Sequence, residues 1–136
     1  MEKSIREAFD LKGASPARQP VLSLAYLGDA VYELVIRTVL LEREGGKNGA
    51  LNQAAIPYVS AVGQAKMARA LLPLLSEEEA SLYRRGKNTK PEHGAKHASA
   101  QDYHVATGLE ALLGGLFLEG KEERIMELIR EGMAHV

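Results

Sequence analysis

Apolar residues recur along this chain at intervals of three and four, and no long run alternates in the way a strand requires. The pattern predicts helices throughout. A short stripe of Ile5, Ala8 and Phe9 comes first and ends in a Gly- and Pro-rich break from Gly13 to Pro20. A long helix is expected from Val21 to about Leu41, carrying Leu24, Leu27, Val31, Leu34 and Val35. It is apolar on most sides, which places it at the centre of the fold rather than on its surface. Gly45-Gly46 stops it. A short segment from Leu51 to Tyr58 follows, broken near Pro57, and then a helix from about Ser60 to Leu75 with Ser60 as its N-cap. Ser76-Glu77-Glu78-Glu79 has the form of a capping box, with three acids near the positive end of the helix it opens. That helix carries Leu82 and Tyr83 and fades into a basic stretch from Arg84 to Lys90, which Pro91 and Gly94 keep open as a loop. Helices from about Ala100 to Leu118 and from about Glu122 to Ala134 complete the chain. With no repeat and no low-complexity tract, the expected architecture is a single all-α domain over residues 1–136, a compact helical bundle.

Composition narrows the chemistry more than the fold. The 136 residues fit one core better than two, and 46% of them are apolar. There is no cysteine, which excludes disulfides and thiolate metal sites and agrees with a reducing compartment. No apolar run approaches the length of about 20 residues that a membrane span needs. The opening MEKSIREAFD is charged and amphipathic rather than a signal-peptide core. A soluble, cytoplasmic protein is expected. The net charge of −1 argues against indiscriminate nucleic-acid binding. It conceals a local excess, however: between Arg84 and His97 stand Arg84, Arg85, Lys87, Lys90 and Lys96 against the single acid Glu92.

Two segments carry acids where the surroundings are apolar. In Leu24-Ala25-Tyr26-Leu27-Gly28-Asp29-Ala30-Val31-Tyr32-Glu33 an aspartate follows a glycine inside an apolar helix. A carboxylate there is costly to bury without a cation or several donors. Gly28 weakens the helix by about 1 kcal/mol relative to alanine, the mark of close backbone packing. In Ala106-Thr107-Gly108-Leu109-Glu110-Ala111-Leu112-Leu113-Gly114-Gly115 a glutamate sits among small and apolar residues, three of them glycine. Two readings stand at this point. Asp29 could be a structural acid satisfied by an arginine or backbone amides. Alternatively, Asp29 and Glu110 form a facing pair whose mutual repulsion calls for a divalent cation, and magnesium, which prefers oxygen ligands, fits best.

Leu27-Gly28-Asp29-Ala30-Val31, followed about eighty positions later by Glu110-Ala111-Leu112-Leu113-Gly114, resembles the ribonuclease III catalytic domain. The closest likeness is to the bacterial mini-ribonuclease III branch, which lacks a separate double-stranded RNA-binding domain. The likeness spans essentially the whole chain, with the Arg85-Gly86-Lys87-Asn88 turn and Tyr103 in the family's order. It implies a helical fold that dimerises and uses magnesium held by Asp29 and Glu110 to hydrolyse double-stranded RNA, leaving 5′-phosphate and 3′-hydroxyl ends. It also implies a natural substrate in precursor 23S ribosomal RNA. Full-length members carry two further acids, at positions that here are Ala25 and Thr107, so the metal is left with fewer protein ligands.

With no further domain expected, the catalytic domain must hold its own substrate. Arg84, Arg85, Lys87, Asn88, Lys90 and Lys96 are the candidates, since duplex RNA is recognised largely through its phosphates and 2′-hydroxyls. His93 and His97 are four apart but straddle Gly94, which favours surface or phosphate-contacting histidines over a zinc site. Glu33 could act behind Asp29 or pair with Arg37, and Gln64 and Lys66 could point toward the acids. The rival to an enzyme is a helical module that keeps the fold and only binds RNA or a ribosomal partner.

Overall fold

A computed structural model describes residues 1–89 and 99–136. Among the described residues seven α-helices run in order: α1 (Glu2–Phe9), α2 (Val21–Glu44), α3 (Asn48–Val59), α4 (Ala61–Leu71), α5 (Glu77–Lys87), α6 (Ala100–Leu118) and α7 (Glu122–Met133). Short 3-10 turns lie at Pro16–Arg18 and Leu72–Leu74. No strand occurs among the described residues, in agreement with the all-helical expectation.

The chain's own caps set several boundaries. Ser60 Oγ accepts the Gly63 N–H at 3.1 Å and opens α4. At α5 the capping box is complete: Ser76 Oγ accepts the Glu79 N–H at 3.2 Å while Glu79 Oε1 accepts the Ser76 N–H at 2.8 Å. Ser99 caps α6 by accepting the Asp102 N–H at 3.0 Å.

Four expectations are corrected. First, α3 is continuous through Pro57. The proline removes one N–H, but Gln53, whose carbonyl loses that partner, is exposed to water. The Asn48-Gly49 pair, a hairpin dipeptide in other contexts, simply begins this helix. Second, α4 ends at Leu71 and tightens into the 3-10 turn at Leu72–Leu74, because Pro73 cannot continue the α-helical ladder. Third, Arg84, Arg85 and Lys87 belong to the last turn of α5 rather than to a loop, where they oppose the negative end of the helix dipole.

The fourth correction concerns α2, expected to be buried at the centre of the fold. The innermost helix is α6, in which every residue from Val105 to Leu116 except Glu110 is buried. Helix α2 lies along it and buries Leu24, Ala25, Gly28, Tyr32, Ile36 and Leu40, a single stripe at three-and-four spacing. Leu34 and Leu41, by contrast, are exposed, and Tyr26 is 81% exposed. The apolar character of α2 is therefore split between the core and an outward face. The core itself joins Tyr32, Ile36 and Leu40 to Met67 and Leu71 of α4, Leu109, Leu112, Leu113 and Leu116 of α6, and Ile125, Leu128 and Ile129 of α7.

On the outside, Arg124 ties α7 to α5. Its guanidinium donates to both Glu79 oxygens at 2.8 and 2.9 Å and to the Leu74 carbonyl at 2.8 Å. The hydrogen bond to Arg124, together with those within the cap, holds the Glu79 carboxyl below its usual range against the opposing effect of burial.

Candidate active site

Two glycines decide where the acids lie. A Cβ on Gly28 would stand 1.7 Å from the Glu110 carbonyl oxygen, and a Cβ on Gly114 would stand 2.0 Å from that of Leu24. Helices α2 and α6 thus meet backbone to backbone, each supplying a glycine where the other's carbonyl approaches. Only a residue without a side chain tolerates this. The contact puts Asp29, next in chain to Gly28, beside Glu110, and the two carboxyl groups are close enough to share a hydrogen bond.

Their environments differ. Asp29 is exposed, whereas Glu110 is half-buried. Burial, followed by the negative charge of Asp29 and the hydrogen bond with it, pushes the Glu110 carboxyl up to about 9, with a smaller push from Glu33. Gln64 acts in the opposite direction, favouring the charged form. Glu33 also pairs with Arg37 at 3.3 Å, the helix-stabilising alternative weighed from its spacing. Tyr32, fully buried one turn past Asp29, donates its hydroxyl to the Tyr58 carbonyl at 2.6 Å. Burial, with Tyr58 and Glu110 contributing, pushes that hydroxyl well above its ordinary value, so it stays a protonated donor.

A pair of carboxyl groups in which one is pushed up by the other's charge is short of positive charge. Two oxygen-donor groups at the mouth of a half-buried site suit a hard divalent cation. Among the described residues no third acid or histidine joins them as a cluster of potential ligands. Ala25 packs with Leu24 and Ala111, and the Thr107 hydroxyl donates to the Tyr103 carbonyl at 3.0 Å within its own helix.

The basic candidates divide. Arg84 and Asn88 are exposed and Lys87 is half-buried. Arg85 instead turns inward and donates to the carbonyls of Gln19 at 3.0 Å and Pro16 at 3.4 Å, fastening the 3-10 turn to α5. Lys90, Lys96, His93 and His97 lie outside the described residues. The end of α5 packs on α6, where Gly86 lies against Thr107, Gly108 and Ala111 and a Cβ would come within 2.9 Å of the Gly108 Cα. Lys66 is exposed on α4.

Two contributors had no clear sequence signal. Arg69 joins Asp102 at 2.7 Å, tying α4 to the start of α6. The Tyr58 and Val59 carbonyls anchor Tyr32 and Gln64. Backbone acceptors leave no mark in a pattern of side chains.

Comparison with known proteins defines the class. The model of the Ribonuclease III domain matches residues 22–121. "Mini-ribonuclease 3" of Symbiobacterium thermophilum is 43% identical over 117 residues, covering 86% of this chain and 90% of the relative. "Mini-ribonuclease 3" of Brevibacillus brevis is 45% identical over 115 residues, covering 85% and 86%. A crystal structure of a Fusobacterium nucleatum protein superposes with a TM-score of 0.81 at 32% identity, covering 89% of this chain and 98% of that one. The chain belongs to the ribonuclease III family, in its mini-ribonuclease III branch. It is accordingly an endoribonuclease.

Proposed function

We propose that the chain cleaves double-stranded RNA as a magnesium-dependent homodimer, in one catalytic domain spanning residues 1–136. The observation that carries this reading is the juxtaposition of Asp29 and Glu110 across the Gly28–Gly114 contact, with one acid open to solvent and the other half-buried. Asp29 and Glu110 would hold the cation. When bound, it supplies Lewis-acid activation of water and neutralises charge developing on the phosphate.

The protein's own groups position and exclude. The α2–α6 contact fixes the spacing of the two acids. Arg84, Lys87 and Asn88, at the end of α5, would meet phosphates of the duplex, with Lys90 and Lys96 following in sequence. Arg85 supports this surface by holding the turn beneath it. A helix end bearing cations recognises the backbone of a duplex rather than its sequence.

The dimer reading is supported by the outward face of α2. Tyr26, Leu34 and Leu41 are exposed, and Leu34 lines a groove of about 210 Å³ with Ile5, Leu27, Val31, Phe117 and Met126. Tyr26 lies one turn before Asp29, so a second copy seated here would bring two acid pairs to one duplex. Sedimentation showing monomer alone at micromolar concentration would contradict it. A stalk in precursor 23S ribosomal RNA is the proposed natural substrate and the cytoplasm the proposed location.

The test is gel-resolved cleavage of a long RNA duplex with magnesium, with a chelator, and with Glu110→Gln. Cutting that requires magnesium and disappears in the folded variant is expected. Cutting by Glu110→Gln, or in chelator, would overturn the site.

A further inference from the structure

Val35, Val39 and Arg43 follow one another at intervals of four along α2, and Met126, Arg130 and Met133 share one face of α7. Both rows line a single cleft of about 480 Å³, with Tyr58 of α3 and Ile129. Ile129 is buried, Val35, Val39, Tyr58 and Met133 are half-buried, and Met126 is exposed. The cleft therefore opens to solvent with an apolar interior. Its two arginines are exposed. Arg37, Arg69 and Arg124 each hold a carboxylate, but among the described residues no carboxylate pairs with Arg43 or Arg130. Acids close to Arg130 in chain are engaged elsewhere: Glu127 pairs with Arg124, and Glu131 lies 3.7 Å from His135. Arginine stems lie along apolar surface while their guanidinium groups stay hydrated. Arg43 and Arg130 thus bring two uncompensated positive charges to the rim of an apolar cleft.

We propose that this cleft binds an aliphatic carboxylate of medium chain length. The hydrocarbon tail lies against Val35, Val39, Ile129 and the two methionines, and the carboxylate meets Arg43 and Arg130. A volume of about 480 Å³ falls within the range of small-molecule sites, about 300–1,000 Å³. A planar guanidinium matches a carboxylate with two parallel N–H donors, and methionine adapts its shape to a flexible chain. Exposed ion pairs contribute little, whereas each methylene withdrawn from water strengthens binding about fourfold. The tail therefore supplies most of the affinity and the arginines select the head. Arg43 lies fourteen residues beyond Asp29 on α2, about 21 Å along the helix axis. The cleft is a site apart from the two acids, and its occupant does not depend on what they hold.

Isothermal titration calorimetry of the full chain with octanoate, decanoate and decanol, each below its aggregation concentration, tests the site. Saturable binding of one carboxylate per chain is expected. Decanoate should bind about fifteenfold more tightly than octanoate and about fivefold more tightly than decanol. Arg43→Gln combined with Arg130→Gln should keep Tm and decanol binding, but bind decanoate no better than decanol. The absence of saturable binding, equal affinity of the wild type for decanoate and decanol, or a carboxylate preference that survives the double variant would each overturn the assignment. Val35 and Met126 also border the groove proposed for a second copy. Decanoate affinity that falls as the protein is concentrated would give the cleft to that copy and overturn it as well. So would a double variant that loses duplex RNA affinity while the wild type binds no decanoate, which would assign the arginines to phosphates.

Discussion

Gly28 lies directly against the carbonyl of Glu110, so close that a methyl group on Gly28 would stand 1.7 Å from that oxygen and 2.8 Å from the Gly114 nitrogen. This contact holds the two acids side by side. It also makes Gly28 intolerant of any side chain. Gly28→Ala is expected to force α2 away from α6 at a cost of about 3 kcal/mol, read as a fall in Tm together with lost cleavage. Gly49 is the control: it lies in α3 with nothing within 4 Å of a Cβ. Gly49→Ala should raise stability by about 0.5 kcal/mol through helix propensity alone. A Gly28→Ala chain as stable as the wild type would mean that the helices do not meet at their backbones.

Glu110 makes the metal-free protein sensitive to alkali. Its carboxyl releases a proton near 4.5 in the unfolded chain but only at about 9 in the folded one. Over that interval the folded state binds more protons, so stability falls as pH rises through it. Thermal melts in chelator should show Tm dropping from about pH 5 toward pH 9. A bound divalent cation, by stabilising the ionised carboxylate, should flatten that slope. Glu110→Gln should melt higher than the wild type in chelator near pH 8 and lose this part of the pH dependence. Parallel pH profiles for variant and wild type would contradict the placement of Glu110.

The three basic residues of α5 should separate by role. Arg84→Ala with Lys87→Ala is expected to leave Tm nearly unchanged, raise KM for duplex RNA, and reduce the salt slope of binding by about 1 to 2. Arg85→Ala should instead lower stability by about 1.5 kcal/mol, since the Pro16 and Gln19 carbonyls lose a charged donor. If Arg85→Ala altered only RNA affinity, its inward orientation would be wrong.

Arg124 joins the α5 capping box to α7 through Glu79, which is 8% exposed. Arg124→Ala leaves that carboxylate without its cation and is expected to cost about 2 to 3 kcal/mol. Glu79 titrates below its usual range because of this partner. The stabilisation is therefore complete above the ordinary glutamate range and lost as pH falls through the lowered value. Melting curves at pH 7 should separate wild type from variant by more than curves at pH 3. An equal gap at both would show that Arg124 acts by packing rather than charge.

The chain's local pattern was enough to place α6 at Ala100–Leu118 and the caps at Ser60 and Ser76, because helix boundaries depend on spacing and on groups a few residues apart. It also singled out Asp29 and Glu110, since a carboxyl among apolar neighbours is conspicuous wherever it stands. Pattern could not show that α2 turns Tyr26, Leu34 and Leu41 outward, because an apolar residue reads the same whether it faces the core or a free surface. Nor could it separate Arg85 from Arg84, which differ only in what lies across from them. The meeting of Gly28 with the Glu110 carbonyl, and of the Tyr32 hydroxyl with the Tyr58 carbonyl, joins residues from three helices far apart in sequence. Those relationships arise only when the helices pack, because close approach and hydrogen bonding depend on distance in space.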